Sequence, residues 1–445
     1  MNDPKNLKIA YIGGGSRGWA HKLMSDLAVT PELGGKIALY DLDFDAAKLN
    51  EKFGNWIGEQ AEAVSKWEYT ATATPEEALA GADFIVMSIQ PGSLALMQRE
   101  IELAEKYGMY FPVGDTIGIP GLSRGLRSAA IFAGYARLIA EHCPDAWAIN
   151  YSNPLTIFTR ALTFTEPGLK AFGCCHEVFG TQWMFARLAE EWYGAEIEGR
   201  EEIEVNVLGI NHFTWLDRAT WNGQDLLARL RQWIEEEGII RDYDEDEVRA
   251  FDNYFHSPDQ VKFRMFMRYG LLPCAGDRHL VEFIPGFVQS EETLFKYGVI
   301  RTPISYRMEQ KALKSNNTER ILSGDDPFII HQSDEEAVRQ IKALLGLGDF
   351  MTNVNVENVG QIPNLPHHAV VETNAYFSQD SVRPLAAGSL PPGVWGLIAP
   401  HVNNQEMIVQ AAITGNRDLA LQAFINDPLN TASVDETVAM FEEAL

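Results

Sequence analysis

The chain opens on a short apolar run, residues 7–12 (LKIAYI), whose β-branched and aromatic content reads as a buried strand. GGGSRG follows at once, then WAHKLMSDLA with apolar positions at helical spacing, then a second apolar run, KIALYDLD, that ends in acids. Strand, glycine turn, helix, strand and acid make one complete mononucleotide-binding unit. Apolar runs at 83–89 (DFIVMSI) and 146–154 (AWAINYSNP) alternate with helical segments such as 123–142, so parallel strands are expected to about residue 165. Beyond that point the pattern loosens, with strands expected at 203–210 and 368–373 and helices at 225–235, 334–346 and 404–425. No repeat, low-complexity tract or Gly/Ser linker separates the halves, so the second should pack on the first. The expected fold is α/β: a Rossmann-type doubly wound sheet over residues 1–165, packed on an α+β catalytic domain over 166–445.

Gly13, Gly15 and Gly18 meet the G-x-G-x-x-G spacing, with Ser16 and Arg17 inside the turn. Glycine is needed there because the turn is tight and the backbone must approach a pyrophosphate held at the helix N-terminus. That spacing alone is weak; the flanking strands and Asp41, about 20 residues on at the end of the second strand, raise it. A carboxylate there accepts ribose hydroxyls and disfavours a 2′-phosphate, which selects NAD over NADP. Asp43 and Asp45 read as an ordinary solvated turn. Ser88 and Gln90 close the 83–89 strand, where loops meet the nicotinamide side of such a crevice.

Bulk composition narrows the partners. The 445 residues carry a formal net charge of −26, which repels nucleic acid and anionic membranes, and no run of about 18 apolar residues occurs. The first ten residues hold no apolar signal region, so the cytoplasm is the expected location. Four cysteines, Cys143, Cys174, Cys175 and Cys274, are too few to staple this length and read as core residues or thiolate ligands.

Polar residues gather at predicted strand ends. Cys175, His176 and Glu177 follow LKAFG; Asn211 and His212 follow EVNVLG; Asp115 sits in VGDTIGIPG; Asn153 in YSNP; Asp277, Arg278 and His279 in AGDRHLVEF. A thiolate and an imidazole arriving separately can hold a divalent ion with positions open for substrate, although a buried Cys and a core His are the commoner meaning of such residues. A pocket between a Rossmann sheet and a second domain needs this concentration.

Taken together, IGGGSRGW, VGDTIGIPG, YSNP, CCHEVFGTQ, GINHFTW and GQIPNLPHHAVVE resemble glycoside hydrolase family 4, the NAD- and manganese-dependent glycosidases, in order from residue 8 to about 430. CHEVFGTQ and GDRHL bring the closest likeness to its α-galacturonidase members; 6-phosphoglycosidase members typically carry an Asn-containing motif in place of Cys-His-Glu. The resemblance implies a lactate/malate dehydrogenase-like fold, NAD and Mn2+ as cofactors, and a homodimer or homotetramer. It implies Cys175 and His212 as metal ligands, Asn153 at the sugar hydroxyls, Asp277 as the base at C2, and Asp115 assisting proton transfer; His176 and Arg278 are further expected at the substrate. It places Asn358 and Asn364 in a late loop at the pocket. Arg278, then Arg301 or Arg307, is expected to meet a uronate carboxylate. The implied reaction oxidises C3 through NAD, removes the C2 proton, eliminates the C1 substituent, adds water and returns the hydride. Related expectations are an α-glucuronidase, a neutral α-galactosidase or α-glucosidase, a 2-hydroxy acid dehydrogenase that consumes NAD, and a non-catalytic NAD sensor.

Overall fold

The structure, a computed structural model, describes residues 3–445 apart from 195 and 252. Six parallel strands build the first sheet: β1 (Leu7–Ile12), β2 (Gly34–Tyr40), β3 (Lys66–Ala71), β4 (Phe84–Met87), β5 (Trp147–Asn150) and β6 (Ala171–Gly173). Their spatial order is β3-β2-β1-β4-β5-β6, the doubly wound arrangement, with the reversal between β1 and β4. The central strands read as unbroken apolar runs because helices cover both faces; all four residues of β4 are buried.

A second, antiparallel sheet holds β7 (Glu204–Ile210), β8 (Phe213–Trp221), β9 (Gln224–Asp225) and β10 (Leu272–Pro273). The last three strands, β11 (Phe350–Glu357), β12 (Val370–Ser378) and β13 (Ser381–Pro384), return to the first sheet and extend it antiparallel beyond β6. The expectation that the sheet stops near residue 165 is therefore corrected on both counts. β6 is only three residues long and carries too little pattern to stand out, and an antiparallel edge added from 180 residues downstream leaves no local trace. The expected strand at 368–373 is β12, in the large sheet. The single helical stretch expected at 404–425 is two helices, Pro392–Thr414 and Arg417–Ile425, broken where Gly415 turns left-handed and Asn416 caps the second.

The two sheets meet through β12 and β7, where Asn374 Nδ2 donates to the Val205 carbonyl at 2.6 Å. Phe213, Trp215, Phe283 and Ile210 then form a core between β7–β8 and the segment after β10. Phe213 stacks on Phe283 at 4.8 Å and 16°. This contact fixes the β7–β8 hairpin against residues 277–283, which matters because both carry pocket residues.

Candidate active site

β1, β4, β5 and β6 are adjacent and parallel, so their carboxyl ends deliver four loops side by side. Gly13 leaves β1 at φ +96°, and a Cβ there would lie 2.2 Å from the Ser88 carbonyl oxygen, so only glycine lets the turn pass the end of β4. Gly15 N–H donates to Asp41 Oδ2 at 2.9 Å, and the other Asp41 oxygen accepts from Asp43 N–H at 2.9 Å. Asn50 Nδ2 clamps the loop through the Gly14 and Ser16 carbonyls at 2.7 and 2.8 Å. Gly18 is different: its Cβ direction is open apart from Lys314 Nζ at 3.6 Å. It caps helix Trp19–Ala28 without any side-chain bond, so the first turn's N–H groups face outward as an anion cradle. Arg17 stands beside it, 3.8 Å from Asp43, with its Nε unpartnered. Ser88 and the exposed Gln90 follow β4, and Ile89 N–H donates to Ser152 Oγ at 2.9 Å, which braces this loop to the Asn153 turn after β5.

The pocket lies at the other end of the same edge. Asn211 and His212 form the two-residue turn between β7 and β8, with His212 at φ +38°, a left-handed conformation costly for a non-glycine residue. Donor atoms of Asp115, His212 and His279 all lie within 4.8 Å of one another, and the two imidazole rings are 4.0 Å apart. Thr116 Oγ1 donates to Asp115 Oδ1 at 2.8 Å and sits 2.9 Å from His212 Nδ1. Since the hydroxyl has one hydrogen and spends it on Asp115, it accepts from His212 Nδ1–H, which leaves the Nε2 lone pair of His212 free for a metal or a proton.

Electrostatics reinforce that assignment. Burial, and after it the neighbouring His279, push the His212 imidazole down to about 3, so both rings are neutral at physiological pH; His279 is lowered too, first by burial. Burial alone would raise Asp115, but His279, Arg307, His212 and Arg124 bring its carboxyl down to about 2. Glu177, which would also rise by burial, is brought to about 2 by His279, His212 and the Gly276 N–H at 3.0 Å. Cys175 contacts Asn211 and Glu177; burial, then Glu372 and Glu177, push its thiol up, so a cation beside it is what would draw out the thiolate. Glu372 in β12 accepts from Asn211 Nδ2 at 3.3 Å and Asn353 Nδ2 at 2.7 Å, supporting the hairpin from below. Glu282 accepts from Val113 and Gly114 N–H at 2.6 and 2.9 Å and so anchors the loop that presents Asp115.

The guanidinium groups are less satisfied than the carboxylates. Arg278 is buried, bonded to the Thr302 hydroxyl and set 4.8 Å over Phe255, with Nε unpartnered. Burial, then Arg307, bring Arg278 down to about 10. Arg307 also has a buried, unpartnered Nε, and among the described residues neither Arg278 nor Arg307 forms an ion pair. Arg301, by contrast, is spent on Glu105 and Glu291 at 2.7 and 2.9 Å.

The expected residues thus divide. Asp115, His212, Arg278 and Arg307 come together, and Cys175 lies next to them across Asn211, outside the tightest cluster. Asp277 lies outside the tight trio: its Oδ1 accepts from Lys262 N–H at 2.9 Å, its Oδ2 is buried without a partner, and burial, then Asp259, push it to about 7. Asp277 and His279 sit two residues apart on one helical turn, roughly 200° around the axis, and it is His279 that joins Asp115 and His212. His176 turns toward the glycine loop, stacked on Trp19 at 5.6 Å. Asn358 is buried and spends its side chain on the carbonyls of Ile362, Leu365 and Pro366; Asn364 binds Leu390 at an exposed groove. Neither lines the imidazole pocket. The sequence assigns no role to His279, Thr116 or Glu282. His279 was visible in GDRHL, but the other two matter only through contacts made across the fold.

A doubly wound nucleotide sheet whose carboxyl edge faces a buried imidazole–carboxylate pocket defines an enzyme built around a dinucleotide crevice. The chain belongs to the family 4 glycosyl hydrolases: the model of that family matches residues 8–191 and its C-terminal domain model residues 207–430. It is a glycosidase. An α-galacturonidase of Thermoanaerobacterium saccharolyticum is 46% identical over 99% of this chain and 95% of the relative. The crystal structure of lplD from Bacillus subtilis superposes with a TM-score of 0.92 at 45% identity, covering 99% of this chain and 100% of that one. A 6-phospho-α-glucosidase from gut microorganisms, solved in complex with NAD and Mn2+, shares the fold at TM-score 0.81 and 22% identity over 99% and 97% of the two chains.

Proposed function

We propose that this chain hydrolyses α-galacturonides with NAD and a divalent ion, manganese by family likeness, in a reducing cytoplasm. The observation that carries the substrate class is the pair Arg278, buried, and Arg307, half-buried with a buried Nε, both without ion pairs among the described residues and beside Asp115 and the two imidazoles. A buried, unpaired cation is costly, and a sugar carboxylate is the anion whose planar fork fits it. The likeness to a relative named α-galacturonidase supports the same reading. The division of labour we propose is nucleotide binding by residues 1–165 and substrate and metal binding by 166–445, with β6 and β11–β13 joining the two through one sheet.

The donor set fits a divalent ion: His212 offers Nε2, and Cys175 a sulfur that a cation would ionise. When bound, NAD supplies a hydride acceptor for C3 and the ion supplies positive charge at the sugar oxygens. Thr116 fixes the tautomer of His212, and Glu282 holds the 113–114 backbone that presents Asp115. His279, neutral and 4.0 Å from the His212 ring, takes the C2 proton, a role that needs an unprotonated base facing the sugar. Asn153 meets the hydroxyls, while Arg278 and Arg307 hold the carboxylate.

The test is turnover of digalacturonate against an aryl α-galactoside with NAD, Mn2+ and a reductant, in deuterated water. Cleavage of the uronide with deuterium at C2 and no accumulating NADH is expected. Equal turnover of the neutral galactoside would remove the carboxylate assignment, and steady NADH formation would mean a dehydrogenase.

A further inference from the structure

The helix Ile304–Ser323 is anchored at its two ends and bare in its middle. Ile304 packs with Met97 and Ile101, and Ile321 belongs to the core that includes Ala20 and Leu23 of the first helix. Between these anchors residues 311–314 are exposed. Positions 304, 307, 311, 314, 318 and 321 recur at three- and four-residue steps, so they share one face. That face is apolar at the anchors and cationic between them: Arg307, Lys311 and Lys314.

Two of these cations reach different parts of the cleft. Arg307 acts on Asp115 and Arg278 in the sugar pocket. Lys314, two turns or about 10 Å further along, puts its ammonium 3.6 Å from the Cβ position of Gly18, at the uncapped start of helix Trp19–Ala28. His21, in that helix's first turn, is pushed down by burial and then by the charges of Arg17 and Lys314. Lys314, Arg17 and the helix N-terminus thus converge on one point, and among the described residues Lys314 has no acidic partner. Three positive groups so placed match a diphosphate.

We propose that the helix Ile304–Ser323 is a strap across the active-site cleft, in which Lys314 binds the diphosphate of the nucleotide while Arg307 faces the sugar pocket. This rests on the NAD-dependent reading and adds a cofactor ligand from outside the nucleotide-binding unit. A single rigid element then senses both ligands, so filling the diphosphate site also orders the sugar side.

Calorimetric titration of NAD and of ADP tests it without turnover, using wild type, Lys314→Met, Lys314→Arg, and Arg187→Met on an exposed face elsewhere. Lys314→Met should weaken both ligands about tenfold, Lys314→Arg should recover most of the loss, and Arg187→Met should change nothing. Hydrogen exchange over residues 308–318 should slow when ADP alone binds. Unchanged affinity in Lys314→Met, or an equal loss in Arg187→Met, overturns the strap. A wild-type protein that binds ADP and NAD in neither titration overturns the NAD-dependent reading itself, and the strap falls with it.

Discussion

The nucleotide end and the sugar pocket sit on the same sheet edge but are built in opposite ways. The nucleotide turn comes from one contiguous stretch, residues 12–50, and its hydrogen bonds close within it: Gly15 to Asp41, Asn50 to Gly14 and Ser16. The pocket draws Asp115 and Thr116, Cys175 and Glu177, Asn211 and His212, His279 and Glu282, and Arg307 from five separate segments. A local site needs backbone shape, which glycine supplies. A distributed site needs packing to hold its parts together, and it accumulates buried charge that the nucleotide turn avoids.

That contrast can be broken at several points. The largest effect is expected for His279→Ala, which should lower kcat about 1,000-fold while Mn2+ and NAD still bind, as a lost general base does; metal loss measured by elemental analysis would instead make His279 a ligand. Phe213→Ala should cost about 3–5 kcal/mol in chemical denaturation, because it empties the Phe283 stack that sets the hairpin, and it should loosen metal binding through His212. Gly13→Ala should cost about 1–3 kcal/mol from its left-handed backbone alone and abolish NAD binding, leaving Mn2+ affinity at the wild-type level. If Mn2+ affinity falls with it, the two ends are not separable. Thr116→Val should weaken Mn2+ about tenfold by freeing the wrong His212 tautomer, and Thr116→Ser should restore it.

The smallest effect is a slope. Burial, against the Val113 N–H bond and helped by Asp115, raises Glu282 to about 8, above the ordinary glutamate value. The folded chain therefore binds the extra proton, and stability falls as pH rises from about 4 to about 8. Glu282→Gln should flatten that part of the denaturation-versus-pH curve; an unchanged slope would show that Glu282 does not carry the pocket's charge burden.

Chain order alone determined the first half of the architecture and the nucleotide turn. A βαβ unit is a local object: its apolar period, glycines and terminal acid lie within about 40 residues, so short-range rules suffice. Motif content likewise marked Asp115, Cys175 and His212 as pocket residues. Only the tertiary structure decided that β11–β13 complete the first sheet, that His279 joins Asp115 and His212, and that Thr116 selects the His212 tautomer. The physical reason is that these depend on which way a side chain points after distant segments pack. His279 has the same sequence credentials as its neighbours in GDRHL, and only the packing of the β7–β8 hairpin on residues 277–283 brings it to Asp115 and His212.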